Sequence, residues 1–478
     1  MSFSDFLLMR NELLLVAAAV IILIADMSFS DENKRGLYNI SLLTMIIITV
    51  LGFLPAPSGK LFGGMYITGD IYILMKNILN IATVIVLLQS RGWLEKPGQQ
   101  KRMGEFILLL VSVLIGMSYM ISSGHFIMFY LGMELATIPL AALAAYELNK
   151  SKSAEAGIKL ILLAAFSSGI LLFGTSLIYA AAGTLYFEGV MAILDSTAFT
   201  TLGLILFFAG LGFKISLVPF HLWTADVYEG APTNVTSFLS VASKGAAVFI
   251  LVIILNTVFK SLNDVWDPMV YALIIITITI GNLFALRQRN IKRFLAFSSI
   301  AQAGFIMLGV INDGGLGMAT VIYFVLVYVF SNLAAFGVAA AIENETGKES
   351  IDDYNGFYRT NPRLSLVMML AMFSLAGIPP FAGFFGKFFL FTAAAEKGYY
   401  ILTLIAVLNT IISLYYYLLV IKAMFIDKNG APIGYFKSDT AMQVSLVICI
   451  LGIIVTGFTS GVFDYMVNLS QQFFLTLQ

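Results

Sequence analysis

Apolar residues run along this chain in long blocks, and only short polar connections separate them. About 20 such residues in a helix cross the roughly 30 Å hydrocarbon core of a bilayer. The blocks predict fourteen spans, at 7–25, 37–54, 66–88, 104–121, 124–146, 155–182, 199–225, 234–257, 268–286, 295–311, 318–342, 363–394, 399–425 and 441–467. Each is expected to be helical, because lipid offers no partner to a bare backbone N–H or C=O. The longest polar connection, 343–363, reads as a loop, so the chain reads as one membrane domain over 1–478. The segment Met1 to Arg10 lacks the basic region and small-residue cleavage site of a secretory signal, so the first block is expected to stay as a span.

Composition agrees with an all-α polytopic membrane protein. Charged residues are 11% of the chain, hydrophobic residues 59%, and mean hydropathy is +0.93. Soluble domains carry about 25% charged residues, so a soluble enzyme, a nucleic-acid binder and a disordered scaffold are excluded. Lys+Arg and Asp+Glu both number 27, so net charge says nothing about partners. The single cysteine, Cys449, cannot supply a four-thiolate cluster or an internal disulfide. The only histidines are His125 and His221, so no cofactor is expected in this chain beyond, at most, one bis-histidine haem. No Walker-type phosphate loop and no dinucleotide-binding unit is present.

Lysine and arginine set the orientation. Eighteen of the 27 fall in or beside one alternate set of connections, and four (Arg10, Lys60, Lys260 and Lys397) lie on the opposite side. The first set is predicted to face the cytoplasm, with both termini outside a bacterial plasma membrane. The remaining five, Lys76, Lys159, Lys214, Lys244 and Lys387, fall inside predicted spans. Each costs about 2.5–3.5 kcal/mol at a helix centre on insertion scales, a load that predicts partners or water. Glu134 is the one acid read as buried.

Glu134 sits mid-span and is expected to pair with a buried lysine and tune its proton affinity. The bland alternative is a static pair joining two helices. Lys214 lies in Gly210-Leu-Gly-Phe-Lys-Ile-Ser-Leu-Val-Pro219, a pattern that predicts an interrupted helix. Lys387 follows Gly377-Ile-Pro-Pro380, a second predicted interruption. Matching broken helices in two halves point to inverted repeats, here two five-helix sets, 104–257 (spans 4–8) and 268–425 (spans 9–13). Lys244 stands among small residues that leave room for water, and His221 follows the first break. Lys159 is close enough to its span's end to snorkel. Lys76 lies outside both repeats, with Asp70 or a neighbouring subunit as its expected partner. His125, at a span edge, reads as structural.

The run Gly210-Leu-Gly-Phe-Lys-Ile-Ser-Leu-Val-Pro-Phe-His-Leu-Trp-Thr-Ala-Asp-Val-Tyr-Glu-Gly-Ala-Pro-Thr233, continuing to Ser243-Lys244, resembles the signature of the subunit N family of NADH–quinone oxidoreductases, respiratory complex I. Ser153-Ala-Glu-Ala-Gly-Ile-Lys159 and Ala376-Gly-Ile-Pro-Pro-Phe-Ala-Gly-Phe-Phe-Gly-Lys387 match too, and the resemblance covers nearly the whole chain. It implies fourteen helices, two inverted five-helix repeats and a midplane proton path in which Glu134, Lys214, Lys244, Lys387, Lys159 and His221 take part. It also implies partners: the antiporter-like subunit M, small membrane subunits, and other subunits that hold flavin, iron–sulfur clusters and quinone. One departure is Gln302, where members commonly carry histidine in a Ser-Ser-Ile-Ala-His-x-Gly run. Glutamine can hold a water chain but takes no proton. Three other readings stay open: a Mrp-type cation/proton antiporter subunit, a complex I relative with another electron donor, and a structural spacer whose buried charges serve assembly.

Overall fold

The computed structural model describes residues 6–30, 34–55, 57–429 and 432–475. Helices dominate, as lipid requires of any chain that must satisfy its own backbone. In chain order they are α1 (Arg10–Ser28), α2 (Arg35–Leu51), α3 (Asp70–Leu94), α4 (Met103–Ile121), α5 (Phe126–Ala144), α6 (Ser151–Ala182), α7 (Phe187–Ile193), α8 (Ala198–Ile215), α9 (Leu222–Gly230), α10 (Thr233–Phe238), α11 (Lys244–Asn256), α12 (Asn263–Ala285), α13 (Ile291–Val310), α14 (Gly315–Thr346), α15 (Pro362–Ala376), α16 (Ala382–Glu396), α17 (Tyr400–Phe425), α18 (Thr440–Phe458) and α19 (Ser460–Leu475).

Among the described residues twelve helices are long and apolar enough to cross a membrane. The fourteen-span reading further requires α2, which is shorter, and the pair α15–α16, which divides 363–394. The last predicted span, 441–467, is also divided: Thr459 takes an extended conformation and α19 starts afresh. The connection 343–363 is not plain loop but holds two 3-10 turns, Ile351–Tyr354 and Phe357–Arg359. Between α2 and α3 a small antiparallel hairpin, β1 (Gly59–Leu61) and β2 (Tyr66–Thr68), pairs Lys60 with Ile67.

The core lies around α14, which is enclosed along its hydrophobic length, and around α10–α11 and α13, nearly as enclosed. Helices α3, α13, α15, α16, α18 and α19 pack against α14. The outer helices show lipid-facing apolar rows, for example Leu162, Phe166 and Phe173 on α6 and Leu404, Leu408 and Ile411 on α17. Lys244 is carried by α11 within this enclosed core, whereas Lys214 stands on α8 and faces α5, both about half enclosed.

Candidate functional site

The two helix interruptions share one construction. α8 ends at Ser216, in the left-handed region at φ 68°, and the next amide, Leu217 N, bonds back to Gly212 O at 2.9 Å. α15 ends at Gly377, φ 86°, and Ile378 N bonds back to Phe373 O at 3.0 Å. Proline follows both, at 219 and at 379–380, and forbids continuation. Glycine takes the left-handed conformation at no cost, whereas Ser216 adopts a backbone that few side chains tolerate. Each break turns helix-terminal carbonyls toward partners outside their own helix, as Phe213 O meets the Trp223 indole and Leu375 O meets Gln302, and sets the negative end of a helix dipole inside the protein.

A lysine occupies each of these ends. Lys214 lies in the last turn of α8. Lys387 lies on α16, after its break, and reaches back to donate to Ala376 O, the last carbonyl of α15, at 3.1 Å. One lysine therefore precedes its break and the other follows it: Lys387 brings its ammonium to a half-helix C-terminus, where cations are favoured, and Lys214 rises from the last turn of the other half-helix toward α5.

Lys214 donates to Thr137 Oγ1 at 2.6 Å. That hydroxyl gives its own proton to Met133 O at 2.6 Å, so its oxygen is free to accept. The expected direct pair with Glu134 is not formed: among the described residues no carboxylate oxygen lies within 4.0 Å of the Lys214 ammonium. Glu134 stands one turn before Thr137 on α5 and accepts from Ser168 of α6 at 2.5 Å.

Lys244 is 4% exposed and opens α11 directly after a π-helical segment, Leu239–Ser243. Such segments are rare and recur at functional sites because they redirect the following side chain. Its ammonium donates to Ser299 Oγ of α13 at 2.6 Å and lies 5.4 Å from the Tyr228 ring centre. The Tyr228 and Tyr328 hydroxyls are buried and both stand beside the same Ser299. His221 stands at the start of α9, close enough to feel the Lys244 charge, and among the described residues its buried Nδ1 has no hydrogen-bond partner.

Gln302 lies one turn beyond Ser299 on α13. Its amide donates to Leu375 O at 3.0 Å and to Tyr417 Oη at 3.1 Å, and Tyr417 Oη lies 2.5 Å from Ser298 Oγ. The Gln302 Oε1 is buried and unpartnered. Gln302, Tyr328, Ser331, Ser374 and Lys387 line one cavity of about 10 Å³, close to the room one water needs. Lys387 is 3% exposed and has Ser413 Oγ at 3.5 Å and the Phe305 ring at 4.7 Å.

Lys159 stands apart from this line. It is more than a third exposed and pairs with Glu155 and Asp226, each at 2.6 Å. Asp226 also binds Arg293 at 2.8 Å, and Glu229 binds Arg293 and Lys152. Partial burial acts to raise the Asp226 carboxyl, but hydrogen bonds from Lys159 and Arg293 outweigh it and hold the group below the usual carboxylate range.

Lys76 differs most from expectation. Its partner is Glu12 of α1, at 2.5 Å, and both side chains are 1% exposed. Tyr66 of β2 donates to Glu12 at 2.8 Å and accepts from Lys76 at 3.2 Å. Asp70 lies six residues away on the same helix, on another face, and cannot reach. Glu12 is thus an enclosed acid that the sequence pattern does not show, whereas Glu134, expected to be buried, is half-buried. His125 accepts the Ile127 amide at 3.1 Å and caps α5. Among the described residues no group of three or more His, Cys, Asp or Glu could hold a metal ion.

Residues 123–413 match the family model described as NADH:quinone oxidoreductase/Mrp antiporter, transmembrane. NADH-quinone oxidoreductase subunit N of Phocaeicola vulgatus is 51% identical over 465 residues, covering 97% of this chain and 98% of that protein. The protein of the same name from Moorella thermoacetica is 38% identical over 474 residues, 98% of this chain and 99% of the other. Among solved structures, a chain of respiratory complex I from Thermus thermophilus with bound aureothin superposes with TM-score 0.79 at 26% identity, covering 94% of this chain and 97% of its own. A chain of the Mrp complex from Dietzia sp. superposes with TM-score 0.87 at 19% identity, covering 100% of this chain and 99% of its own, a likeness of fold alone. The chain belongs to the NADH-quinone oxidoreductase subunit N family.

Proposed function

We propose that this chain is the proton-translocating membrane subunit of an NADH–quinone oxidoreductase and that Lys214, Lys244 and Lys387 hold the travelling proton in turn. The observation that carries the reading is the way the three ammoniums are held. Each is bound by a hydroxyl or a helix-end carbonyl, and among the described residues none has a carboxylate within 4.0 Å. A buried cation kept only for structure is normally neutralised by a carboxylate, as Lys76 is by Glu12. A lysine without that counter-charge is poised to give its proton up, since burial disfavours the charged form.

Glu134 acts on Lys214 through space and through the Thr137 turn, so its movement toward or away from the ammonium would load or unload it. His221 and the Tyr228 and Tyr328 hydroxyls supply exchange partners beside Lys244, and Gln302 with Tyr417 orders the stretch toward Lys387. Lys159 with Asp226 forms the entrance on the side predicted to be cytoplasmic. These groups are coupled, so the proton belongs to the set rather than to one residue. The shared construction of the two breaks supports reading 104–257 and 268–425 as inverted repeats within one domain. Electrons pass elsewhere: this chain is read as carrying no redox centre, with flavin, iron–sulfur clusters and quinone in partner subunits, and with the antiporter-like subunit M and small membrane subunits as neighbours. Both termini are placed on the outer face.

The test is Lys214→Ala in the assembled complex, with NADH-driven pumping and quinone turnover measured together. Pumping per electron is expected to fall, while flavin-site oxidation of NADH by an artificial acceptor is unchanged. Normal pumping and turnover in an assembled complex overturn the role of this lysine.

A further inference from the structure

A groove of about 620 Å³ runs between α15 and α18 and is closed at one end by residues 435–438. Its walls are apolar, with Leu366 and Leu370 from one helix and Val447 and Leu451 from the other. Leu366, Val447 and Leu451 are largely exposed. The closed end is cationic. Arg363 and Lys437 both line it, both are exposed, and among the described residues neither has a carboxylate within 4.0 Å. The nearest acid in sequence, Asp439, is committed to capping α18 through the Met442 amide at 2.8 Å. The same end holds the start of α15, where Pro362 has no N–H and the amides of Arg363 and Leu364 have no side-chain cap.

We infer that this groove binds one anionic phospholipid, its phosphate against Arg363, Lys437 and the α15 amides and an acyl chain along the leucine and valine walls. Three features favour a lipid over a protein helix. The cations sit at one end only, where a single headgroup ends and its tail begins. An uncapped helix start suits a phosphate. Both cations belong to the connections rich in lysine and arginine, predicted to face the cytoplasmic leaflet, where anionic lipids draw basic side chains. The inference does not depend on the proton path.

The experiment uses the whole complex in phosphatidylcholine nanodiscs doped with a photoactivatable phosphatidylglycerol or, separately, a photoactivatable phosphatidylcholine. Labelled peptides are then mapped by mass spectrometry. Phosphatidylglycerol is expected to label 362–370 and 435–451 about tenfold more than phosphatidylcholine, a preference that two headgroup cations supply. Arg363→Ala/Lys437→Ala is expected to erase the preference, and Leu370→Trp, which fills the groove, is expected to erase labelling by both lipids. Equal labelling by the two lipids, a preference that survives loss of both cations, or a groove shielded from lipid by a neighbouring subunit each overturns it.

Discussion

Lys244→Met is expected to slow proton transfer through this subunit by on the order of a hundredfold, the usual contribution of a positioned proton-transfer group, while leaving the complex as stable as before or more so. The two halves of this expectation come from the same geometry. The Lys244 ammonium is enclosed among α11, α13 and the Tyr228 ring, and among the described residues one serine hydroxyl is its only hydrogen-bond partner. Keeping a cation there costs free energy that no counter-charge offsets. Methionine has similar length, fills the space and removes that cost. A residue retained for packing would show the opposite result: normal pumping and weaker assembly. The checks are pumping by vesicles and the temperature at which the complex dissociates.

The second large effect lies outside the proton line. Lys76→Met alone should destabilise the protein by about 3–5 kcal/mol, because it strands a carboxylate in an enclosed site. Glu12→Leu alone should do the same with the opposite charge. Glu12→Leu with Lys76→Met together should recover most of the loss, since a buried ion pair replaced by apolar residues of similar volume is often neutral or stabilising. The Tyr66 hydroxyl then still has Leu8 O, at 3.3 Å, as an acceptor. Resistance to heat or detergent for the three variants decides it. If both single variants were as stable as the parent, the pair would carry no structural weight.

Much of the architecture is legible in the residues. Gly210 to Pro219 and Gly377 to Pro380 announce the two breaks, because there proline follows residues that already favour a helix end, whereas Pro139 and Pro268, without that setting, lie inside α5 and α12. Five lysines in apolar blocks announce that something must hold them. What holds them is not legible. Thr137, Ser168, Ser299 and Ser413 look like many other hydroxyl residues in apolar helices, which satisfy themselves on their own backbone, as Ser41 and Thr83 do here. Only packing decides which of them meets an ammonium. The π segment before Lys244 has no composition that marks it, and it moves the lysine around its helix relative to a regular count. Glu12 stands near the end of its apolar block, where a carboxylate usually reaches water, so the pattern does not mark it as enclosed. Here the hairpin β1–β2 brings Tyr66 against it, and two three-residue strands leave little trace in a sequence pattern. The direct Glu134–Lys214 pair, expected from charge alone, is replaced by separate hydroxyl contacts, Lys214 with Thr137 of α5 and Glu134 with Ser168 of α6.

Whether these lysines conduct protons or merely stand in the fold is decided by the proton-to-electron ratio of the assembled complex carrying Lys214→Met, Lys244→Met and Lys387→Met together. A ratio clearly below that of the parent, with the variant subunit still in place, is expected. A parental ratio in a complex that contains the variant subunit contradicts proton conduction by these lysines.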